Sequence, residues 1–555
     1  MIARITMASI FSKFSKPLWG IIALWMIVVV LPLGNRGLWD PDEPRYLQVA
    51  WEMATSGHYI IPQINGGPYT HKPPLFFWLT MAMSTVVPFE IASRGVTALA
   101  SLFTVLFTYA AGRKYVSPRA GLMAALILMT ANLYLQLMVT GNMDILLTCF
   151  ITLSMVAFLD GEMEDRNSSL IVSYVACGLG ILAKGPVAIL IPWLSFGVWN
   201  LYRWRTGGTP KWGHLIWGPL VALVVVLFWL VPAGIVGGKD YLYEIVVRQN
   251  AGRAVHSFAH QKPWYYMLIN FPLLALPWTF LIPIGVRGGK ILITERNRAY
   301  LFHLIWFLTV LVFFSLMSGK RGRYLLPMFP AASVLLAGAL DRVSLGKTGH
   351  RLFYFTAGLV YTMLFLVTLA PYTFTWLVDK YPVLHVFIDH QQGLQHVVPV
   401  LLFLPLGIGF CIYTIQQIAA GSGRGGCYGL AAGMLLFAGL AQAYYIPLID
   451  YLKCARHASS KIIAETTPTD TIAFWDHRLD SGWNYYLNRQ HIPIIERSDL
   501  ADKGKRPDVV ICKVKKKKTI SELTRLFKTS GYDVLIDDPI GSNTYLIFKK
   551  KGDRP

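Results

Sequence analysis

Apolar runs of membrane-crossing length recur from Pro17 to the mid-440s, and they constrain the fold more than any other feature of this sequence. A helix crosses a bilayer in about 20 apolar residues, because lipid offers its backbone no hydrogen-bond partners. By that measure spans are expected near 17–34, 91–112, 118–137, 141–160, 168–183, 185–202, 214–235, 265–286, 299–317, 324–341, 352–372, 397–418 and 426–447. That makes about thirteen, and the shorter run 76–88 reads as a re-entrant or interfacial helix. Only 15% of residues are charged, and 17 Trp and 27 Tyr supply rings of the kind that anchor at headgroup level. The expected fold is an α-helical polytopic membrane protein.

Charge sets the orientation. Arg4, Lys13 and Lys16 precede the first run and no small-residue cleavage site follows it, so that run reads as an uncleaved span. The net charge of +21 could suggest nucleic acid. The basic clusters instead flank apolar spans, as in "GRKYVSPRA", "YRWRTGGTPKW" and "VRGGKILITERNR", which fits the excess of Lys and Arg on the cytoplasmic side. "DGEMEDRN" runs against that bias, although acids weigh little in it. The count places the opening loop 35–90, the loop 236–263 and everything after 447 on the outer face. The six cysteines are scattered and form no CxxC pair, so neither a disulfide framework nor thiol chemistry is expected.

From about residue 452 the composition becomes that of a soluble domain. "TIAFWD", "PDVVICKV", "YDVLIDD" and "TYLIFKKK" read as strands, and "TISELTRLFKTSG" as an amphipathic helix ended by Gly531. The chain therefore divides into a transmembrane region, 1–451, and a compact α/β domain, 452–555. Lys515–Lys518 read as a solvated or lipid-facing patch.

Candidate chemistry gathers on the outer face. "LWDPDEPRYLQVAWEM" puts Asp40, Asp42 and Glu43 within four residues, before a helix that Pro44 allows to begin there. Its alternating faces predict an amphipathic helix lying along the outer surface. Capping accounts for one acid, not three. In "YTHKPPLFFW" two prolines hold Lys72 at the membrane surface, where it reads as a snorkelling lysine or an anion ligand. In "GNMDILLTCF" Asp144 lies one turn inside a span, a functional candidate by its cost of about 2.5–3.5 kcal/mol, with capping by Asn142 or Asp144 as the bland reading. Lys184 interrupts "LAKGP". Lys320, Arg321 and Arg323 make "KRGRYLLPMFP" basic on the outer side, and an anion such as phosphate would offset them. The loop 236–263 adds Arg248, Arg253, His256 and His260, the two histidines at an i, i+4 spacing that a metal could share. Carboxylates with phosphate-suited cations beside lipid describe group transfer from a lipid phosphate. A non-catalytic lipid-linked sugar carrier is the alternative, but a transport path needs charge through the whole depth.

"LWDPDEPRYLQVAWEM…GHYIIPQINGGPYTHKPPLFFW", "GNMDILLTCF", "ILAKGPVAILIP" and "KRGRYLLPMFP" closely resemble the bacterial polyprenyl-phosphate-sugar glycosyltransferases of the GT-C superfamily, which includes protein O-mannosyltransferases and lipid A aminoarabinose transferases. The resemblance runs from the first span to about residue 345. It implies an inverting transfer from an undecaprenyl-phosphate sugar on the periplasmic face of the bacterial inner membrane, with lipid A phosphate as the acceptor expected first. It assigns catalytic roles to Asp42, Glu43 and Asp144. Phosphate binding falls to Lys72, Arg321, Arg323 and Tyr324, with Lys320, Arg248 and Arg253 beside them. His71 stands where aminoarabinose transferases carry an acid before the lysine, which keeps a neutral hexose, another aminosugar and a protein acceptor open. His71, His256 and His260 are the residues that could hold zinc; no nucleotide cofactor is implied. Expected partners are the lipid-linked donor, the acceptor and membrane lipid, with no nucleic acid, for a chain acting as a monomer.

Overall fold

The computed structural model describes residues 16–252, 261–380, 397–477, 482–502, 506–514, 517–540 and 543–551. They form two compact units, one of residues 1–32, 70–76 and 96–444, the other of 33–69, 77–95 and 445–555.

The first unit is a helical bundle, and the chain is a multi-pass membrane protein. Among the described residues nine helices are long and apolar enough to cross a bilayer: Phe89–Tyr115, Met143–Met163, Asn167–Lys184, His214–Arg248, Arg298–Leu316, Gly322–Arg342, Lys347–Ala370, Val400–Ala419 and Gly423–Tyr445. Each coincides with an expected span. The other expected spans are less regular. Pro17–Val30 and Pro118–Thr130 are short apolar helices, and Val187–Arg205 carries Pro192 inside it. The span expected at 265–286 is instead two helices, Tyr266–Leu274 and Trp278–Thr294, bent by 103°. Pro277 has no N–H to continue the first helix. The carbonyls orphaned at the break are met by Asn132, whose backbone N–H donates to Leu276 O at 2.9 Å and whose side chain donates to Leu273 O at 3.3 Å.

Two of these helices position a site. Met143–Met163 and Asn167–Lys184 are joined by a short turn and pack as a helical hairpin. The first residue of one helix is therefore beside the last residue of the other. Gly185, at φ 127°, turns the chain there, and Pro186 precedes the next helix, Val187–Arg205.

The second unit combines the opening loop with the tail, so residues 33–69, read from sequence as part of the 1–451 region, pack with 445–555. Its hairpin pairs β1 (Gln63–Ile64) with β2 (Gly67–Pro68) around Asn65 and Gly66, whose positive φ values suit an Asn-Gly turn. Its five-stranded sheet contains β3 (Ile472–Trp475), β4 (Ile494–Ile495), β5 (Val509–Val514), β6 (Tyr532–Ile540) and β7 (Asn543–Lys550) in the order β4-β3-β5-β7-β6. β3 is parallel to β4 and β5, while β7 is antiparallel to β5 and β6. The apolar run of β5 serves two cores by the alternation of a strand. Val509 and Ile511 join Ala458, Ile462 and Trp483, while Val510, Cys512 and Val514 join Leu523 and Phe527 of the helix Lys517–Thr529.

Candidate functional site

In the second unit the opening loop enters the helix Glu43–Ser56, which has Pro44 in its first turn and ends at Gly57 in the left-handed conformation. Asp42 occupies the N-cap position, yet its side chain makes no capping hydrogen bond. Its Oδ1 instead accepts from Arg45 Nη2 at 2.6 Å, with the carboxylate 12% exposed. The helix is not the surface-lying amphipathic element expected. Gln48 and Glu52 are as buried as the apolar face, and Gln48 Nε2 donates to Glu52 Oε1 at 2.8 Å.

Glu43 has a different environment. Oε2 accepts from Arg36 Nη1 at 2.6 Å and from the Trp39 N–H at 3.1 Å, while Oε1 accepts from Arg94 Nε at 2.8 Å and Arg36 Nη2 at 3.1 Å. Burial pushes its pKa up, but the charges and hydrogen bonds of Arg36 and Arg94 outweigh that, holding the carboxyl well below the usual range. Arg94 also donates to the carbonyls of Leu33, Arg36 and Gly37, at 2.8, 2.8 and 2.6 Å. A carboxylate with four donors on its two oxygens is a poor proton acceptor, and Glu43 ties the loop together through Arg36, Trp39 and Arg94. Neither Arg36 nor Arg94 was singled out from sequence. The signal for Arg94 was present, since it is an arginine within the apolar run 91–112.

In the first unit Asn142, not Asp144, caps the helix Met143–Met163. Its Oδ1 accepts the Asp144 and Ile145 N–H groups at 3.0 and 3.1 Å. Thr97 and the Asn142 backbone exchange two further bonds of 3.0 and 3.1 Å. The buried Asp144 carboxylate is thus left for cations. Oδ1 accepts from Lys184 Nζ, and Arg323 Nη1 lies 3.8 Å from Oδ2. Lys184 Nζ also stands 5.6 Å from the Tyr324 ring centroid, a cation–π distance. Four polar residues, Asp144, Lys184, Arg323 and Tyr324, therefore form one cluster.

The remaining candidates fall differently. Lys72 is half-buried and His71 exposed, just before the helix Leu75–Ser84. Arg321 is half-buried at the start of the 3₁₀ turn Gly322–Met328. Lys320 is buried with its ammonium on the Met317 and Lys262 carbonyls, the latter at 3.0 Å. Arg248 is exposed and pairs with Glu244 at 3.1 Å. Arg253, His256 and His260 lie outside the described residues. Among the described residues no three His, Cys, Asp or Glu side chains are placed to share a metal.

A family profile described as dolichyl-phosphate-mannose-protein mannosyltransferase matches residues 71–231. An undecaprenyl phosphate-alpha-4-amino-4-deoxy-L-arabinose arabinosyl transferase of Pseudomonas fluorescens (strain Pf0-1) is 30% identical over 348 residues, 60% of this chain and 61% of that protein. One from Pseudomonas aeruginosa (strain UCBPP-PA14) is 31% identical over 335 residues, 58% of this chain and 59% of that protein. The matched region is therefore less than two thirds of these relatives' own length. The crystal structure of ArnT from Cupriavidus metallidurans bound to undecaprenyl phosphate superimposes with a TM-score of 0.73 at 19% identity, covering 97% of this chain and 99% of that one. The two chains share a fold.

Proposed function

We propose that this chain is a membrane glycosyltransferase of the GT-C type that moves 4-amino-4-deoxy-L-arabinose from undecaprenyl phosphate to a lipid A phosphate on the periplasmic face of the bacterial inner membrane. The observation that carries this reading is the similarity to aminoarabinose transferases over some three hundred and fifty residues. In the step proposed, an acceptor oxygen attacks the anomeric carbon from the face opposite the lipid phosphate. The bond from that carbon to the phosphate oxygen breaks, and undecaprenyl phosphate leaves with the electron pair. Asp42 takes the acceptor's proton where it carries one, since its carboxylate lies at the helix start, is not used for capping and is held by Arg45. Lys72, Arg321 and Arg323 stabilise the departing phosphate by charge-assisted hydrogen bonds. Asp144 holds Lys184 and Arg323, setting the charge and orientation of that cation cluster.

A second reading, transfer to a protein hydroxyl, is favoured by the mannosyltransferase profile over residues 71–231 and by His71 at the position where aminoarabinose transferases carry an acid. Mass spectrometry of lipid A from deletion and complemented cells separates the two. Aminoarabinose that disappears on deletion and returns with the gene supports the first. Unchanged lipid A beside a lost protein glycan supports the second.

A further inference from the structure

Beyond the last span, the chain of the second unit reaches back to the opening loop through contacts that the proposed chemistry does not use. Asp450 is 7% exposed, and its Oδ1 accepts both the Gly37 N–H at 2.8 Å and the Trp39 indole N–H at 2.7 Å. The Tyr486 hydroxyl accepts the Leu38 N–H between them at 2.9 Å. Three consecutive loop residues are thus held by two side chains from more than four hundred positions away. The Trp39 ring also has Arg36 and Lys453 each 4.7 Å from its centroid, one cation from the loop and one from the tail. The approach is close: a Cβ on Gly37 would collide with the Cys454 sulfur. Trp39 in turn donates its backbone N–H to Glu43, and Asp42 lies between the two.

We infer that Asp450, Tyr486 and Trp39 are positioning residues for the transfer reaction, through which the C-terminal region fixes the turn that presents Asp42. The inference rests on the reading of Asp42 as a reacting group. The tail is then a working part of the enzyme rather than an accessory. A reacting group misplaced by about 1 Å costs on the order of a hundredfold in rate, and polar supports of this kind determine whether such a group is held.

The test uses the purified full-length protein in detergent, with undecaprenyl-phosphate-linked aminoarabinose and lipid A, and separates kcat from the KM for the donor. Trp39→Phe and Tyr486→Phe each delete one hydrogen-bonding atom and should lower kcat by about tenfold or more, leaving donor KM within about threefold. Asp450→Ala should do the same. Asp450→Asn retains the accepting oxygen and should recover most of the rate. Because Asp450 and Trp39 share a bond, Trp39→Phe/Asp450→Ala should lose no more than Asp450→Ala alone. Wild-type kcat in the single variants overturns the inference, and so do fully additive losses, which mean independent structural damage. If Asp450→Ala fails to fold, the two phenylalanine variants decide alone. Asp42→Asn runs alongside to separate the failures. An active Asp42→Asn removes the reading of Asp42, whereas an inactive Asp42→Asn beside active Tyr486→Phe and Trp39→Phe removes only the positioning role.

Discussion

Glu43 has Arg36 and Arg94 on its oxygens, while Asp42, one residue earlier, pairs with the partly exposed Arg45. Their variants should therefore fail in different ways. Asp42→Asn keeps the shape of a side chain that does not cap its helix, so the thermal midpoint in detergent should stay near wild type. Turnover should fall by about a hundredfold or more, within the range for loss of a general base; wild-type turnover would refute the role. Glu43→Gln leaves two buried guanidiniums short of their carboxylate, and breaking a buried pair costs about 3–5 kcal/mol. Its melting temperature should drop whether or not it retains activity. The pH dependence follows in sign. Glu43's carboxyl is held below its ordinary value in the fold, so its stabilisation is complete above the unfolded pKa of about 4.3 and drains away as pH falls below it. Acid melting of the wild type between about pH 5 and 3 should be steeper than that of Glu43→Gln. The sequence showed that these acids exceed what capping needs. It did not show which one was spent, because Arg94 is 51 positions from Glu43.

At the scale of elements, the hairpin Met143–Met163 and Asn167–Lys184 brings Asp144 to Lys184 across forty residues of sequence. Both were visible as charges in apolar surroundings, but their pairing depends on how two helices of slightly different length meet. Lys184→Met should destabilise the bundle by leaving a buried carboxylate to Arg323, which at 3.8 Å compensates only in part. Adding Asp144→Asn should restore some of the lost thermal stability by removing the uncompensated charge. A double variant that melts below Lys184→Met would refute the pairing. Long elements were legible for the usual reason: uninterrupted apolar helices and six-residue strands such as β5 carry many periods of their pattern. β4, with only two residues, carries none, and it was missed. The helix Arg456–Glu465 was missed as well, since no side-chain cap marks its start and its sequence is mostly polar. The break between Tyr266–Leu274 and Trp278–Thr294 lies inside an apolar run, where apolar length alone does not mark the change of direction at Pro277.

For the whole molecule, the motif order and the soluble tail could be read from sequence, but the joining of loop and tail into one unit could not. Leu38, Leu47 and Trp51 of the loop share a core with Tyr485 and Tyr486 of the tail. Asn65 binds the tail at residues 484, 491 and 492 by hydrogen bonds of 2.9 to 3.1 Å. Glu90 pairs with Arg456. Two segments that share a core lie on one side of a membrane, so the chain between residues 69 and 445 must cross an even number of times. That parity holds whatever the count of short or broken helices, and it is independent of charge. The Lys and Arg bias predicts the outer face for the shared side. Alkaline phosphatase, active only after export, should accordingly be active when fused after Asn65 and again when fused after Pro555. A fusion after Arg119, in the basic stretch that opens the helix Pro118–Thr130, should be inactive. Two inactive outer fusions with an active one at Arg119 would invert the orientation and remove the periplasmic reaction, but leave the shared core intact. Disagreement between the Asn65 and Pro555 fusions would be more damaging, because no membrane arrangement could then let Asp450 hold Trp39, and the tail could not position Asp42.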